Sequence, residues 1–582
     1  MNRETYIKNT MEKLSVQQKI GQCIVVGMSG TVITNDLREA ITKYHCSGVR
    51  LSPFFKIFRY FSDDKAKKSQ MPSDFTPSME KMMKQDQAPW FSPEQYADML
   101  NELRELAAKR EPPIPLHMVI DQEGDTSKDF SRGGVVQFPS NMGIVAGKDP
   151  QLAYEIARAV GKQLKATGLD MIHSPVVDVN INPDNPEIGR RSFGDDPSKV
   201  ADYAIAMVKG FKEEGIIAAA KHFPGRGDSA TDAHHACPTL DVDMKRFHDV
   251  ELYPYKKLIE AGIDSVMVAH CLYPMLDKDT ISTVSRSIVT DLLRNELGFK
   301  GVITTDSMTM GALIDKYGVG ESCARALAAG SDLILMKAEN EWRGEMFYTV
   351  EQWVKDGRIS MVELDAKVER ILGMKYDYGM VKTLGKVDAS KAAEPFTDSF
   401  VLDTAKKSAE FAIMVAKDEL KALPIDKSRK VLLVNQLNTT KSPNDWWDHP
   451  SLFSELMEKD WPELESMEVD FGYCAEDEAK VLSVAEKGKY DLIICTNFYD
   501  RASQPQSAAS ALIKKGYPVV LVTNTPYCIK KTGGMLTDAG TIVLNMNLTP
   551  QGYKTACEVL FGETEAKGSW PLTNFDPLGL NK

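Results

Sequence analysis

Eight short apolar runs recur along the first 384 residues, and the segments between them have the apolar spacing of helices. The runs are nearly continuous in apolar residues, which is typical of strands covered on both faces of a parallel sheet. Eight strand–helix units predict a (β/α)₈ barrel, with a doubly wound open sheet as the alternative. The runs cover residues 22–28, 48–53, 116–121, 171–179, 216–223, 265–271, 301–308 and 332–337.

Two segments between these runs carry clear signals for the start of a helix. Asp149 precedes Pro150 and Asp196 precedes Pro197, so each pair places a capping carboxylate before a proline at the first helical position. An apolar stripe and then a glycine follow in both segments. The pattern therefore predicts two long helices that pack against the sheet.

A long polar segment, residues 54–97, separates the second run from its helix. In a barrel, the loops that follow strands build the active-site face. Two interpretations remain open: a wall or lid of a substrate pocket, or a solvated insertion with a small hydrophobic anchor.

A second, smaller domain is predicted after the barrel. The polar stretch 385–400 interrupts the pattern and predicts a linker, and an α/β pattern follows over 401–582. No GxGxxG or P-loop motif follows its first strand, which argues against nucleotide binding. The predicted strands of this domain cover residues 431–436, 492–497, 519–525 and 541–547.

The composition excludes several classes of partner. The chain has 70 Lys and Arg against 82 Asp and Glu, a formal charge of −12, and no basic tract, which argues against nucleic acid. No apolar run reaches the length of a membrane span, and residues 1–21 lack the features of a secretory signal. Nine scattered cysteines without a CxxC pair are typical of buried, reduced thiols, so a cytoplasmic location is expected.

Reactive side chains stand at the ends of five of the predicted strands, inside runs that are otherwise apolar. Any one of them could be a structural cap, but five strands that share this feature favour an active site at the carboxyl rim of the barrel. The residues are Asp121, Lys221, His222, His270, Asp306 and Lys337.

The segment after the fifth strand, KHFPGRGDSATDAHHACP (221–238), is the richest in reactive groups. Its glycines permit a tight turn. Asp232 and His234 are two residues apart, so in an extended loop their side chains share one side. A carboxylate beside an imidazole sets its tautomer and raises its proton affinity, which suits an acid/base catalyst. A merely polar, solvated loop is the other interpretation.

Four motifs together carry a family resemblance. KHFPGRGDSATDAHH resembles the KHFPGHG…DSH signature of glycoside hydrolase family 3, in its β-N-acetylglucosaminidase branch. IDQEG (120–124) resembles the family's DQEGG, and NPEIGRRSFGDDP (185–197) resembles NPVIGxRSFGxDP. GFKGVITTDSMTMGAL (298–313) resembles its nucleophile block, GFxGVxxTDxxxMxA. The resemblance covers the barrel and extends more weakly into the second domain, which resembles the family's αβα sandwich.

The resemblance implies roles for individual residues. Asp306 is implied to be the nucleophile, and His234 the acid/base with Asp232 orienting it. Four further residues are implied to bind sugar hydroxyls in the innermost subsite: Asp121, Arg191, Lys221 and His222.

Two departures from the family pattern bear on these roles. DTSKDFSRGG replaces the second glycine and the following arginine of DQEGG, and Arg132 is the candidate to replace the sugar contact of that arginine. The usual GHG is GRG here, which brings Arg226 to the same loop.

The expected activity is that of a retaining exo-acting β-glycosidase without a cofactor or metal, acting on a carbohydrate substrate. A terminal N-acetylglucosaminide, including a muropeptide fragment of the cell wall, is the first expectation, and a β-glucoside is the second. A zinc-dependent amidohydrolase barrel is a different class, but it needs an HxH pair on strand one, where QCIVVGM has no ligand. A non-catalytic carbohydrate-binding protein would need to lose the nucleophile or the Asp–His pair, and both are present.

A retaining glycosidase first binds the sugar covalently and then transfers it to an acceptor, and two acceptors are possible here. A histidine acid/base is neutral after it gives up its proton, so it would not repel an anion as a carboxylate would. Lys221, Arg191 and Arg226 would add positive potential, which predicts that inorganic phosphate competes with water. Water as the only acceptor is the alternative.

Overall fold

The predicted strands form one parallel sheet that closes on itself, so the computed structural model of the chain contains the (β/α)₈ barrel predicted from its sequence. Its eight strands are β1 Ile24–Ser29, β2 Gly48–Ser52, β3 His117–Ile120, β4 Met171–Ile172, β5 Ile217–Phe223, β6 Ser265–Val268, β9 Val302–Thr305 and β10 Ile334–Met336. Their neighbour order is β10-β1-β2-β3-β4-β5-β6-β9. A parallel bridge between Thr304 and Leu333 joins the two ends, and the Thr305 amide donates to the Leu333 carbonyl at 3.0 Å. A hairpin, β7 Leu272–Tyr273 with β8 Asp277–Ile281, follows β6.

The structure describes residues 1–52, 91–130, 133–231, 237–337, 342–437, 452–469, 473–498, 507–528 and 534–581. Most of the predicted insertion at 54–97 lies outside the described residues, and so do Arg132, Asp232 and His234. The end of that segment belongs to the helix Pro93–Ala108, which begins with a capping box on Ser92.

The fourth strand is shorter than its apolar run predicts. Only Met171–Ile172 is regular, although the run continues to residue 179. Pro175 lies within the run and has no N–H to donate, so a regular ladder cannot continue through it. Pairing resumes beyond it, where the Val177 amide donates to the Lys221 carbonyl at 2.7 Å.

Helices cover the outside of the barrel, and the two with predicted starts form as expected. Asp149 accepts from the Gln151 amide at 2.9 Å, and Asp196 accepts from the Ser198 amide at the same distance. A ten-residue π-helix, Ser287–Glu296, precedes β9. The α-helices of this part are Arg3–Met11, Val16–Gln22, Asn35–Thr42, Pro93–Ala108, Asn141–Val145, Pro150–Ala166, Pro197–Glu213, Met244–Asp249, Tyr253–Glu260, Gly311–Tyr317, Val319–Ala329, Trp342–Lys355, Met361–Asp377 and Met380–Thr383, and the 3₁₀ helices are Gly189–Arg191, Ser282–Val284, Ala389–Lys391 and Glu394–Thr397.

The second domain is a six-stranded sheet with apolar cores on both faces. Its strands are β11 Ile413–Asp418, β12 Val431–Gln436, β13 Glu465–Val469, β14 Leu492–Asn497, β15 Val519–Thr523 and β16 Thr541–Asn545. Their order is β11-β16-β15-β14-β12-β13, and only the β11–β16 pair is antiparallel. In β14, Ile493 and Cys495 join one core while Leu492 and Ile494 join the other. The helices of this domain are Ser399–Phe411, Leu452–Asp460, Ala475–Gly488, Ala508–Lys514 and Pro550–Leu560. The boundaries at 385–400 stay a prediction.

The second domain packs against loops at the carboxyl ends of β3 and β4. The Asp125 carboxylate accepts from the Leu548 amide at 2.5 Å and from Arg190 at 2.7 Å. The Asp195 carboxylate accepts from three consecutive backbone amides at 573–575, at 2.7 to 2.9 Å. The domain interface therefore supports the loops that surround the barrel rim.

Among the described residues, no helix combines the length and apolar character needed to cross a bilayer.

Candidate active site

Asp306 lies directly after β9, at the carboxyl rim of the barrel. Its backbone amide donates to the Val268 carbonyl of β6 at 3.0 Å, which fixes the residue to the neighbouring strand. One carboxylate oxygen, Oδ1, accepts from the Ser307 amide at 2.7 Å. The other, Oδ2, lies 4.0 Å from Nη2 of Arg226, and the side chain is 16% exposed. The carboxylate is thus held in place and remains partly exposed.

The surroundings of Asp306 favour its ionised form. Burial opposes ionisation, but the positive charges of His270, Arg226, Lys221 and Lys337 outweigh it and hold the pKa of Asp306 below its usual range. His270 also supports the backbone, since its Nε2 lies 3.0 Å from the Ser307 carbonyl and can only donate there. An ionised carboxylate at this position has the protonation state that a nucleophile needs.

Asp121 is the second carboxylate at the rim, and cations from three strands surround it. Its Oδ1 lies 2.9 Å from Nδ1 of His173 and 3.5 Å from Nζ of Lys221. Its Oδ2 contacts Arg50 closely and lies 3.8 Å from Nζ of Lys337. The charges of Arg50 and Lys221 and the contact with His173 outweigh burial and hold the pKa of Asp121 well below its usual range.

Glu123 joins two of the predicted sugar-binding residues. Arg191 donates two hydrogen bonds to its carboxylate, at 2.8 and 3.0 Å, and Lys221 Nζ lies 2.5 Å from Oε1. Burial raises the pKa of Glu123, but Arg191 and Lys221 outweigh that effect and lower it to about 2. Both cations are therefore paired with the same buried carboxylate, which reduces the free positive potential expected from them.

His222 is a buried neutral ring. Its Nδ1 lies 2.8 Å from Asp178 Oδ2, and its peptide bond to Lys221 is cis. Burial, followed by the charges of Arg226 and Arg191, keeps the pKa of His222 well below its usual range. Since Nδ1 faces a carboxylate, it carries the proton, and Nε2 is left as the acceptor nitrogen.

The GRG motif fixes Arg226 next to the nucleophile candidate. Gly225 has φ +122°, and a side chain at Gly227 would meet the Val179 carbonyl at 1.8 Å, so both positions require glycine. Between them, Arg226 is 2% exposed and donates to Glu187 at 2.7 Å. Its Nε and Nη1 are buried and have no hydrogen-bond partner within the described part of the chain.

The predicted site residues thus fall into two groups. The structure brings seven of them to one rim with Arg226, but Arg132 and the pair Asp232–His234 lie outside the described residues, so their roles stay predictions. The seven are Asp121, Arg191, Lys221, His222, His270, Asp306 and Lys337. Within the described ranges, no group of three or more His, Cys, Asp or Glu side chains is arranged to hold a metal ion.

Several charged residues at this rim were missed by the sequence analysis. Arg50 and His173 each stand inside an apolar strand run, GVRLSP and MIHSPVVDV, and this is the signal that singled out Lys221 and His222. Asp178 ends the second of these runs in the same way. Asp129 follows β3 in a polar segment and carries no such signal.

Comparison with known proteins identifies the family. Residues 15–374 match the model for the glycosyl hydrolase family 3 N terminal domain, more than half of the chain. The chain belongs to glycosyl hydrolase family 3.

Relatives of this family 3 chain agree with the resemblance seen in its motifs. It is 35% identical over 257 residues to β-hexosaminidase A of Pseudoalteromonas piscicida, a match to 42% of this chain and 43% of that protein. It is 30% identical over 341 residues to a β-N-acetylglucosaminidase/β-glucosidase of Cellulomonas fimi, covering 57% of this chain and 59% of that protein. The matches thus span about half the length of these two relatives.

A solved structure matches the whole family 3 chain. It is that of a glycoside hydrolase family 3 β-N-acetylglucosaminidase from Paenibacillus sp. str. FPU-7, with a TM-score of 0.80 and 27% identity. The match covers 97% of this chain and 99% of that chain. The predicted fold class and the predicted branch of the family are confirmed.

The charge next to Asp306 predicts a shift in pH dependence. In Arg226→Met, the pKa of Asp306 rises, because the variant loses a cation 4.0 Å from its carboxylate. Since the predicted role of Asp306 as nucleophile requires its ionised form, activity should be lost as pH falls through this pKa, so the acid limb of kcat/KM should move to higher pH by about one unit or more. The profile is measured on an aryl β-glycoside, with Lys212→Met as the exposed control. An acid limb at the same pH in both variants contradicts this effect of Arg226.

Proposed function

We propose that this chain is a retaining, exo-acting β-glycosidase that removes a terminal β-linked N-acetylglucosamine through a covalent glycosyl-enzyme. The observation that carries the proposal is the Asp306 carboxylate, held ionised at the barrel rim beside Arg226. Membership of family 3 and the names of the relatives support the same activity.

In the proposed reaction, Asp306 attacks the anomeric carbon while the bond to the leaving oxygen breaks. The leaving oxygen takes a proton from His234, and the sugar stays on Asp306 as an ester. Water then attacks the anomeric carbon, gives its proton to His234, and releases Asp306 as a carboxylate. Asp232 would orient His234; both roles rest on the DAH motif of the chain.

The innermost sugar would bind to the polar groups that line the same rim. Asp121 and neutral His222 can accept hydrogen bonds from hydroxyl groups, and Arg191 and Lys221 can donate them. Arg132 is a further candidate from the sequence. These hydrogen bonds would supply affinity for the sugar and hold its anomeric carbon next to Asp306.

The substrate would be an N-acetylglucosaminide, and a muropeptide fragment is our first choice for its natural form. A β-glucoside is the second candidate, because the Cellulomonas fimi relative carries both activities in its name. We further propose a reducing compartment, the cytoplasm, since all nine cysteines are free thiols and six of them are buried.

Two variants test the catalytic roles on two substrates with different leaving groups. Asp306→Ala should lose turnover of both p-nitrophenyl β-N-acetylglucosaminide and a β-linked N-acetylglucosamine disaccharide. His234→Ala should lose kcat/KM on the disaccharide by about 10²-fold or more but change it little on the aryl glycoside, whose leaving group needs no proton. Steady-state kinetics and a melting curve for each variant provide the measurement.

Equal losses on both substrates in His234→Ala would remove this residue from the acid role. Aryl glycoside activity of Asp306→Ala within about tenfold of the wild type would contradict its role as nucleophile. A wild-type preference for p-nitrophenyl β-glucoside would favour the second substrate.

We also propose that inorganic phosphate can replace water in the second step. The specific support is Arg226, whose Nε and Nη1 are buried without a partner within the described part of the chain, beside Asp306. A histidine acid/base would not repel the anion. Attack by a phosphate oxygen on the anomeric carbon would free Asp306 and give a sugar 1-phosphate.

Product analysis tests this acceptor directly. In millimolar phosphate, wild-type protein should form sugar 1-phosphate beside free sugar, and Arg226→His should form a smaller fraction, because a guanidinium is exchanged for the imidazole usual in the family. The control is a non-phosphate buffer at equal pH and ionic strength. Identical rates and no sugar phosphate would leave water as the only acceptor.

A further inference from the structure

Arg50 lies on β2 below the rim and contacts two carboxylates with one nitrogen. Its Nη2 contacts Oδ2 of Asp121 closely and lies 2.5 Å from Oδ2 of Asp129. Arg50 and Asp129 are 1% and 2% exposed, whereas Asp121 reaches the pocket with 14% exposure. Arg50 is therefore almost fully buried, and it contacts a carboxylate that is more exposed than itself.

The loop after β3 holds the two carboxylates at a fixed separation. The Asp129 amide donates to the Asp121 carbonyl at 3.0 Å, and the Asp121 amide donates to the Asp129 carboxylate at 3.1 Å. Gln122 and Phe130 exchange two further hydrogen bonds across the same loop, at 3.0 and 3.2 Å. Because this loop is closed by its own hydrogen bonds, Asp129 cannot move away from Asp121 to relieve their repulsion.

Other groups around Asp121 do not replace Arg50. His173 and Lys221 contact the opposite oxygen, Oδ1, and Lys221 is also bound to a second carboxylate, Glu123, at 2.5 Å. Lys337 lies 3.8 Å from Oδ2 and is 35% exposed. Arg50 is thus the nearest cation to Oδ2 among these groups and the one that contacts both carboxylates.

We propose that Arg50 is a positioning residue for sugar binding: it holds Asp121 oriented and ionised by sharing its guanidinium between Asp121 and Asp129. This role rests on the proposed contact of Asp121 with the innermost sugar. Without Arg50, two buried carboxylates would face each other, and one of them would take up a proton at a higher pH. A protonated or turned Asp121 would accept fewer hydrogen bonds from the sugar, so affinity would fall.

The role predicts a change in KM and not chiefly in kcat. In Arg50→Met, KM for the aryl β-N-acetylglucosaminide should rise about tenfold or more, with kcat within about threefold of wild type, because the lost contact binds ground state and transition state alike. KM should also rise as pH falls, beginning at a higher pH than in the wild type. Arg50→Lys should raise KM less than Arg50→Met does, because lysine keeps a positive charge at this position.

Charge compensation separates this role from simple packing. Arg50→Met with Asp129→Asn removes one of the two facing carboxylates, so KM should return toward the wild-type value and its pH dependence should move back to lower pH. The matched control is Arg104→Met, which breaks another buried pair, Arg104–Asp170 at 2.7 Å, at the amino end of the barrel. It should lower the melting temperature without changing KM.

Three results would overturn the role of Arg50: an unchanged KM in Arg50→Met, an equal rise in Arg104→Met, or no recovery when Asp129→Asn is added. If Arg50→Met does not fold, Arg50→Lys with and without Asp129→Asn gives the same comparison.

Titration of the wild type with N-acetylglucosamine by calorimetry distinguishes a failure of the proposed function from a failure of the role of Arg50 alone. Wild-type protein that neither binds the sugar nor cleaves the glycoside refutes the proposed function and this role with it. Active wild type with an unaffected variant refutes this role alone.

Discussion

A chain of alternating charges runs along the carboxyl rim of the barrel and connects its two pocket carboxylates. Each buried carboxylate in it contacts a buried cation from another strand or loop, so no charge is left without compensation in a low dielectric. Its central separations are 2.5 Å between Lys221 and Glu123 and 2.7 Å between Arg226 and Glu187. In order, the chain consists of Arg50, Asp121, Lys221, Glu123, Arg191, Glu187, Arg226 and Asp306.

His270, Lys337 and the cations of this charge chain together explain how Asp306 can be both buried and ionised. Removing Arg226 would leave Asp306 without its partner in this chain, and breaking a buried pair in this way costs about 3–5 kcal/mol. The barrel sheet and the second domain provide the rigid frame that such pairs need. Asp125, for example, links Arg190 at the rim to the Leu548 amide of the second domain. The pocket therefore depends on both domains.

Much of the fold could be predicted from the sequence, because it rests on local patterns. The eight barrel strands follow from apolar runs, and the starts of the helices at Pro150 and Pro197 follow from their capping aspartates. Two strands of the second domain, β11 and β13, were missed. β13 is the sheet-edge segment ESMEV, whose polar residues do not form an apolar run.

The candidate site was predictable only in part. Asp306 and Lys221 stand out because charges inside apolar strands are rare. The pairing of Arg50 with Asp129 is not predictable in this way, since it joins a residue of β2 to the loop after β3, and the contact depends on how that loop folds back onto Asp121. The positive potential predicted for Arg191 and Lys221 was too large for a similar reason, because both side chains pair with Glu123 from another segment of the chain.

The central claim is that Asp306 forms the bond to the sugar. An activated 5-fluoro N-acetylglucosaminyl fluoride slows the second step of a retaining glycosidase and lets the glycosyl-enzyme accumulate. Mass spectrometry of the digested protein should find the added sugar on the peptide that contains Asp306, and Asp306→Ala should carry none. Label on Asp121 or Glu123, or steady turnover of the wild type without any labelled peptide, would contradict the account.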